Sequence, residues 1–140
     1  MDLSRTRSCA LVVLALAGCS SPTGIASPDD VLFLALSAPP SAHMEALFQG
    51  RVILDQAGCI RLDSAEGSTV VWPYGATLQQ SGLELRVRAA DGREIGRLGG
   101  SFRFGGGHVP TLHTFALAPE DRELAQLSCP GDFWIVGEID

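Results

Sequence analysis

The sequence contains no lysine and no asparagine, so all ten of its basic residues are arginine. That gap points to a genome poor in A and T, not to a mechanism. Aromatic residues are few as well: six Phe, two Trp and one Tyr in 140 residues. A small domain needs most of these rings for its core, which leaves little for an aromatic binding platform. No apolar run approaches the roughly 20 residues that a membrane-spanning helix requires. Signatures of catalysis are missing too, since the chain has no GxSxG, no HExxH and no CxxC pair. The glycine-rich stretch GSFRFGG (100–106) lacks the lysine and the Ser or Thr of a phosphate loop, so its glycines read as turn residues. These absences lead to the expectation of a non-enzymatic protein without a cofactor.

What is present begins at the N-terminus. Residues 1–7 are polar and carry Arg5 and Arg7, and residues 9–18 are a short apolar run ending in small residues. A charged start followed by a short apolar middle is the pattern of an export signal. Its end, Leu16-Ala17-Gly18-Cys19, resembles the lipobox of bacterial lipoproteins at all four positions. The resemblance implies removal of residues 1–18 and attachment of diacylglycerol to the Cys19 thiol as a thioether, sulfur being the nucleophile able to form it. It also implies frequent acylation of the freed amino group, for example by palmitate. Two or three acyl chains make a durable anchor at roughly 0.8 kcal/mol per buried methylene. The expected place is therefore a membrane face outside the cytoplasm. Ser20 follows the cysteine where aspartate typically favours inner-membrane retention, which leans toward the periplasmic face of an outer membrane if the cell has two membranes. In a cell with one membrane it would be the outer face of that membrane.

Cleavage before Cys19 leaves 122 residues, enough for one domain. This part carries eight arginines against fifteen acids, a formal charge of −7. An acidic surface on an exported protein argues against nucleic acid as a partner. With Cys9 in the signal and Cys19 carrying lipid, Cys59 and Cys129 remain as a possible disulfide in an oxidising compartment, two buried thiols being the other reading. Such a bridge closes a loop of about 70 residues, which in the chain-entropy model is worth roughly 4 kcal/mol.

Residues 19–30 are small, polar and proline-punctuated through SSPTGIASP, which reads as a flexible tether from the lipidated Cys19 to a domain over 31–140. The apolar run VLFLAL (31–36) fits a buried strand or a short helix, and periodicity does not choose between them. Residues 45–55 and 59–63 flank Gln56-Ala57-Gly58 as a hairpin. A strand over 69–73 is ended by Pro73. Leu83, Leu85, Val87 and Ala89 alternate with Glu84, Arg86 and Arg88, the period of a half-buried strand. Asp91-Gly92 then turns the chain into a partner over 93–98. Phe102 and Phe104 share one side of a short piece bracketed by glycine. Residues 119–127 (PEDRELAQL) open with proline and acids, as a helix start prefers, and 133–139 form a last strand. Six or seven short strands and one helix predict an all-β domain. The best fit is a small closed or partly open β-barrel, OB-like, with the short helix before its last strand; a β-sandwich is the alternative.

The combination of GCIRL (58–62), VWPYG (71–75), Gly105-Gly106-Gly107, Cys129 and FWIVG (133–137) resembles a group of small exported bacterial domains built on GC[IL]R, VWPxG, a glycine cluster and a cysteine before an aromatic strand. The resemblance implies a fold and carries no catalytic residues. Where that group often has an acid after the glycine cluster, this chain has His108.

Two candidate surfaces follow. Trp72 and Tyr74 could line a barrel-side groove for a small ligand, peptide or glycan. His108 and His113, five residues apart around Pro110, could join His43 or Asp132 at a metal, but that spacing has no defined ligand geometry, and they read as loop histidines with no metal assigned. The functional expectation is a lipid-anchored envelope module that acts structurally or by interaction. Its partners would be the membrane through Cys19 and an envelope protein or glycan.

Overall fold

The computed structural model describes residues 27–64, 66–137 and 139. Cys19, the lipobox and most of the tether lie outside the described residues. Pro28–Asp30 form a single 3-10 turn, capped by Ser27, whose hydroxyl accepts from the Asp29 N–H at 3.4 Å.

Nine strands and one helix follow: β1 (Leu34–Ala35), β2 (Ala46–Leu54), β3 (Ile60–Leu62), β4 (Thr69–Trp72), β5 (Thr77–Ser81), β6 (Glu84–Arg88), β7 (Glu94–Arg97), β8 (Ser101–Val109), α1 (Pro119–Ser128) and β9 (Phe133–Val136). β2 pairs antiparallel with β3 and with β8, and β3 pairs antiparallel with β4. β9 closes the ring, lying antiparallel to β8 and parallel to β4. The result is a closed five-stranded barrel, OB-like, with the helix between its fourth and fifth strands. β5, β6 and β7 form a second, three-stranded antiparallel sheet inserted between β4 and β8. Closure leaves the barrel no bare edge except where one strand outruns its neighbour.

The apolar run 31–36 resolves as a strand: Leu34 and Ala35 pair in parallel with Val71 and Trp72. β4 and β9 are apolar without alternation because both of their faces are covered. Val70, Trp72 and Val136 point into the barrel with Phe48, Val52, Ile60, Phe102 and Phe104. Val71, Phe133 and Ile135 point outward into a second cluster with Leu34, Leu36, Leu112, Leu117 and Ala125, under β1 and α1. Inside the barrel, Trp72 lies 5.7 Å from Phe102 and 5.8 Å from Phe104 between ring centroids, and Phe48 lies 5.2 Å from Phe104. Tilted and edge-on pairs of this kind add about 0.5–1.5 kcal/mol each beyond their burial.

Three elements differ from the sequence expectation. β5 (TLQQS) was not anticipated, because its residues are polar and carry no alternation. Leu83, placed on the apolar face of its strand by alternation, instead sits in the two-residue turn Gly82-Leu83 that joins Ser81 to Glu84, and it is 75% exposed. Gly82 takes φ +62°, the left-handed first position that a type II′ hairpin needs. The glycine cluster is also no turn. Gly105, Gly106 and Gly107 run through the middle of β8, where the strand passes from β2 to β9. A Cβ on Gly106 would fall onto the Ile135 carbonyl oxygen and 2.6 Å from Trp134 Nε1, so the barrel closes there only over a bare backbone.

Candidate functional site

Cys59 and Cys129 form a disulfide with Cα atoms 5.8 Å apart, and both are fully buried. It joins the β2–β3 turn to the end of α1 across 70 residues of sequence. Around it the turn is tied by charge. Asp55 Oδ1 accepts the backbone N–H groups of Ala57 and Cys59, each at 2.9 Å, and Asp55 Oδ2 accepts Arg61 Nε at 2.7 Å. Arg61, only 6% exposed, also donates from Nη1 to the carbonyls of Gly67 at 3.0 Å and Pro130 at 3.4 Å. Burial alone would raise the Asp55 carboxyl; the Arg61 hydrogen bond and the two backbone donors outweigh it and hold the group below its ordinary range. Three separate loops thus meet on one guanidinium. The side-chain polar atoms of Asp55 and Arg61 are all engaged in holding these loops together.

The proposed Trp72–Tyr74 surface does not form. Trp72 is fully buried, its indole packed among Phe33, Phe102 and Phe104, whereas Tyr74 is 52% exposed in the turn after Pro73. The reason is strand parity: Trp72 shares the inward face of β4 with Val70, and the chain leaves the barrel before Tyr74.

His108 does meet an acid named from the sequence. Its Nε2 lies 3.1 Å from Asp132 Oδ2, at the surface, where β8 pairs with β9. His113 follows β8 in the loop before α1 and lines a recess with Gln126 and Pro130, whereas His43 lines a different one with Met44 and Gly137. Among the described residues no three His, Cys, Asp or Glu side chains gather where a metal ion could bind. Nor is any helix among them long and apolar enough to cross a membrane.

A cleft of about 530 Å³ opens between β2 and the β6–β7 hairpin. It lies in the size range of small-molecule sites. Its walls are Ile53, Leu54, Leu83 and Leu98, with Arg51, Glu84 and Arg97 at the rim. Arg51 donates from Nε and Nη2 to the Gly99 carbonyl at 3.3 and 3.1 Å, which fixes its guanidinium beside the opening. Arg97 Nη1 meets Glu84 Oε1 at 2.7 Å, and Arg86 bridges Glu84 Oε2 at 2.8 Å to Glu94 Oε2 at 2.9 Å. Hydrogen bonds from Arg97 and Arg86 hold the Glu84 carboxyl below its ordinary range, and those from Arg86 to Glu84 and Glu94 raise the Arg86 guanidinium. Arg86 thus pairs with one acid of its own strand, Glu84, and one across the hairpin, Glu94. The cleft itself was not anticipated, since its residues come from distant segments; the one local signal was Leu83 beside Gly82. A smaller apolar recess of about 210 Å³ lies on another face, between Met44, Pro73, Phe115 and Ile135.

No protein-family model, no curated protein and no solved structure matches this chain.

Proposed function

We propose that this chain is a lipid-anchored envelope protein whose barrel serves as a non-enzymatic interaction module. Residues 1–18 are the export signal, Cys19 carries the diacylglycerol, and residues 19–30 tether the barrel to the membrane. The observation that carries the reading is the buried Cys59–Cys129 disulfide, a bond at home in an oxidising compartment, in a chain that also holds LAGC at 16–19. The two features are independent, since one lies in the core of the fold and the other before it. An interaction role is favoured over a purely structural one by the cleft beside β2, which joins apolar walls to a charged rim. The buried position of Trp72 weighs against a ligand groove built on that residue and Tyr74.

Fractionation of cells expressing the whole chain tests the anchor. The wild-type protein is expected in the membrane fraction and released only by detergent, whereas Cys19→Ser should accumulate uncut or appear in a soluble fraction. Equal partitioning of the two together with identical processing would overturn the proposal.

A further inference from the structure

β2 outruns β8. Their register ends at Arg51 opposite Ser101, after which Val52 donates to the Gly100 carbonyl at 3.1 Å and accepts from the Gly99 N–H at 2.6 Å. Backbone groups alternate sides along a strand, so the N–H and C=O of Leu54 face the same way as those of Val52, away from β3. The β8 register has ended by this point, and no turn or loop hydrogen bond reaches them among the described residues. Leu54 lines the 530 Å³ cleft, and there a short length of barrel edge is left without a partner strand.

The surroundings of that edge have a definite chemistry. Arg51 Nη1 has no partner among the described residues, while Nε and Nη2 of the same guanidinium are pinned on Gly99. Around the rim Arg97 is paired with Glu84, whereas Arg51, whose backbone N–H donates to Asp63 Oδ1 at 3.1 Å, has a guanidinium with no ion pair among the described residues. Leu83 projects from the β5–β6 turn at 75% exposure, although nothing in the hairpin requires a large apolar residue there. An unpaired donor and acceptor, an oriented cation and flanking leucines are together what an extended peptide is recognised by: main-chain bonds to a strand edge, with pockets for alternate side chains.

We infer that the cleft binds an extended peptide segment bearing a carboxylate between apolar side chains. Its backbone pairs with Leu54, its carboxylate meets the free Nη1 of Arg51, and its apolar neighbours pack against Leu83 and Leu98. This deepens the interaction reading of the barrel and is independent of the anchor, since Cys19→Ser should leave it unchanged.

The test uses the whole chain in phosphatidylcholine nanodiscs, titrated with three fluorescent hexapeptides of alternating Thr and Val that carry Asp, Asn or Lys at the third position. The Asp peptide is expected to bind at least about tenfold more tightly than the Lys peptide, a gap of about 1.4 kcal/mol. Arg51→Glu should erase that preference. Leu83→Ser, at an exposed turn, should weaken binding about tenfold with the thermal midpoint unchanged, and N-methylation of the peptide backbone should abolish binding. Equal affinity for the Asp and Lys peptides, or no binding by any of the three, would overturn the inference. Displacement by decanoate at lower concentration than by the Asp peptide would also overturn it and assign the cleft to a fatty carboxylate.

Discussion

Asp55 and Arg61 face each other at 2.7 Å across the β2–β3 turn, and Cys59, between them in sequence, carries the disulfide to the end of α1. An ion pair and a covalent bond thus fix the same seven-residue corner, Asp55 to Arg61, and the Arg61 contacts to Gly67 and Pro130 extend the hold to two more loops.

Breaking the ion pair should therefore be costly. Arg61→Met leaves Asp55 charged and largely buried, a change that typically destabilises by about 3–5 kcal/mol. Chemical denaturation is expected to show that loss. A cost within about 0.5 kcal/mol would mean that the corner does not depend on the pair.

The same carboxyl sets an acid limit. Asp55 has a folded-state pKa below its ordinary 3.8, so its contribution is present in full above that value and is lost as pH falls through the lower folded-state value. The stability gap between wild type and Asp55→Asn should be widest near neutral pH and should close under acid. A gap that widened under acid would reverse the assigned sign.

Removal of the disulfide should cost roughly 4 kcal/mol in the chain-entropy estimate for a loop of this length. Because both cysteines are fully buried, dithiothreitol is expected to reduce the folded protein only as fast as it opens. Thiol counting during unfolding checks this, and rapid reduction at neutral pH without denaturant would speak against it.

Gly106→Ala should strike the barrel seam. The added methyl meets the Ile135 carbonyl and Trp134 Nε1, so a loss of about 2 kcal/mol or more is expected. Hydrogen exchange should locate the opening between β8 and β9.

Trp72 and Tyr74, two residues apart, should respond oppositely. Trp72→Ala empties the barrel core and is expected to cost about 3–5 kcal/mol. Tyr74→Ala should stay within about 0.5 kcal/mol, as surface changes usually do. Thermal melts of the two variants separate the cases.

Much of this fold was legible because local pattern and burial agree. Leu85 and Val87 alternate on a strand with one face inward, Asp91-Gly92 turns it, and Pro119 opens the helix where the acids predict a start. The Cys59–Cys129 pair was readable once Cys19 was set aside as the anchor. Elsewhere the deciding contacts were tertiary. β5 forms because Leu78 pairs opposite Val87, a register its polar sequence does not announce. The glycines of β8 looked like punctuation, yet they are a close approach of two strands, which is visible only once Ile135 is placed against them. Trp72 resembled a platform until the parity of β4 put it inside. The cleft joins Arg51, Leu54, Leu83 and Arg97, and no single stretch of sequence contains it.

The central claim is the anchor at Cys19, and mass spectrometry of the N-terminal peptide from the whole chain made in a bacterial host tests it most directly. The account predicts a mature chain that begins at Cys19 and carries a diacylglyceryl thioether on its sulfur. A chain that keeps residues 1–18, or one cut elsewhere with Cys19 unmodified, would contradict it.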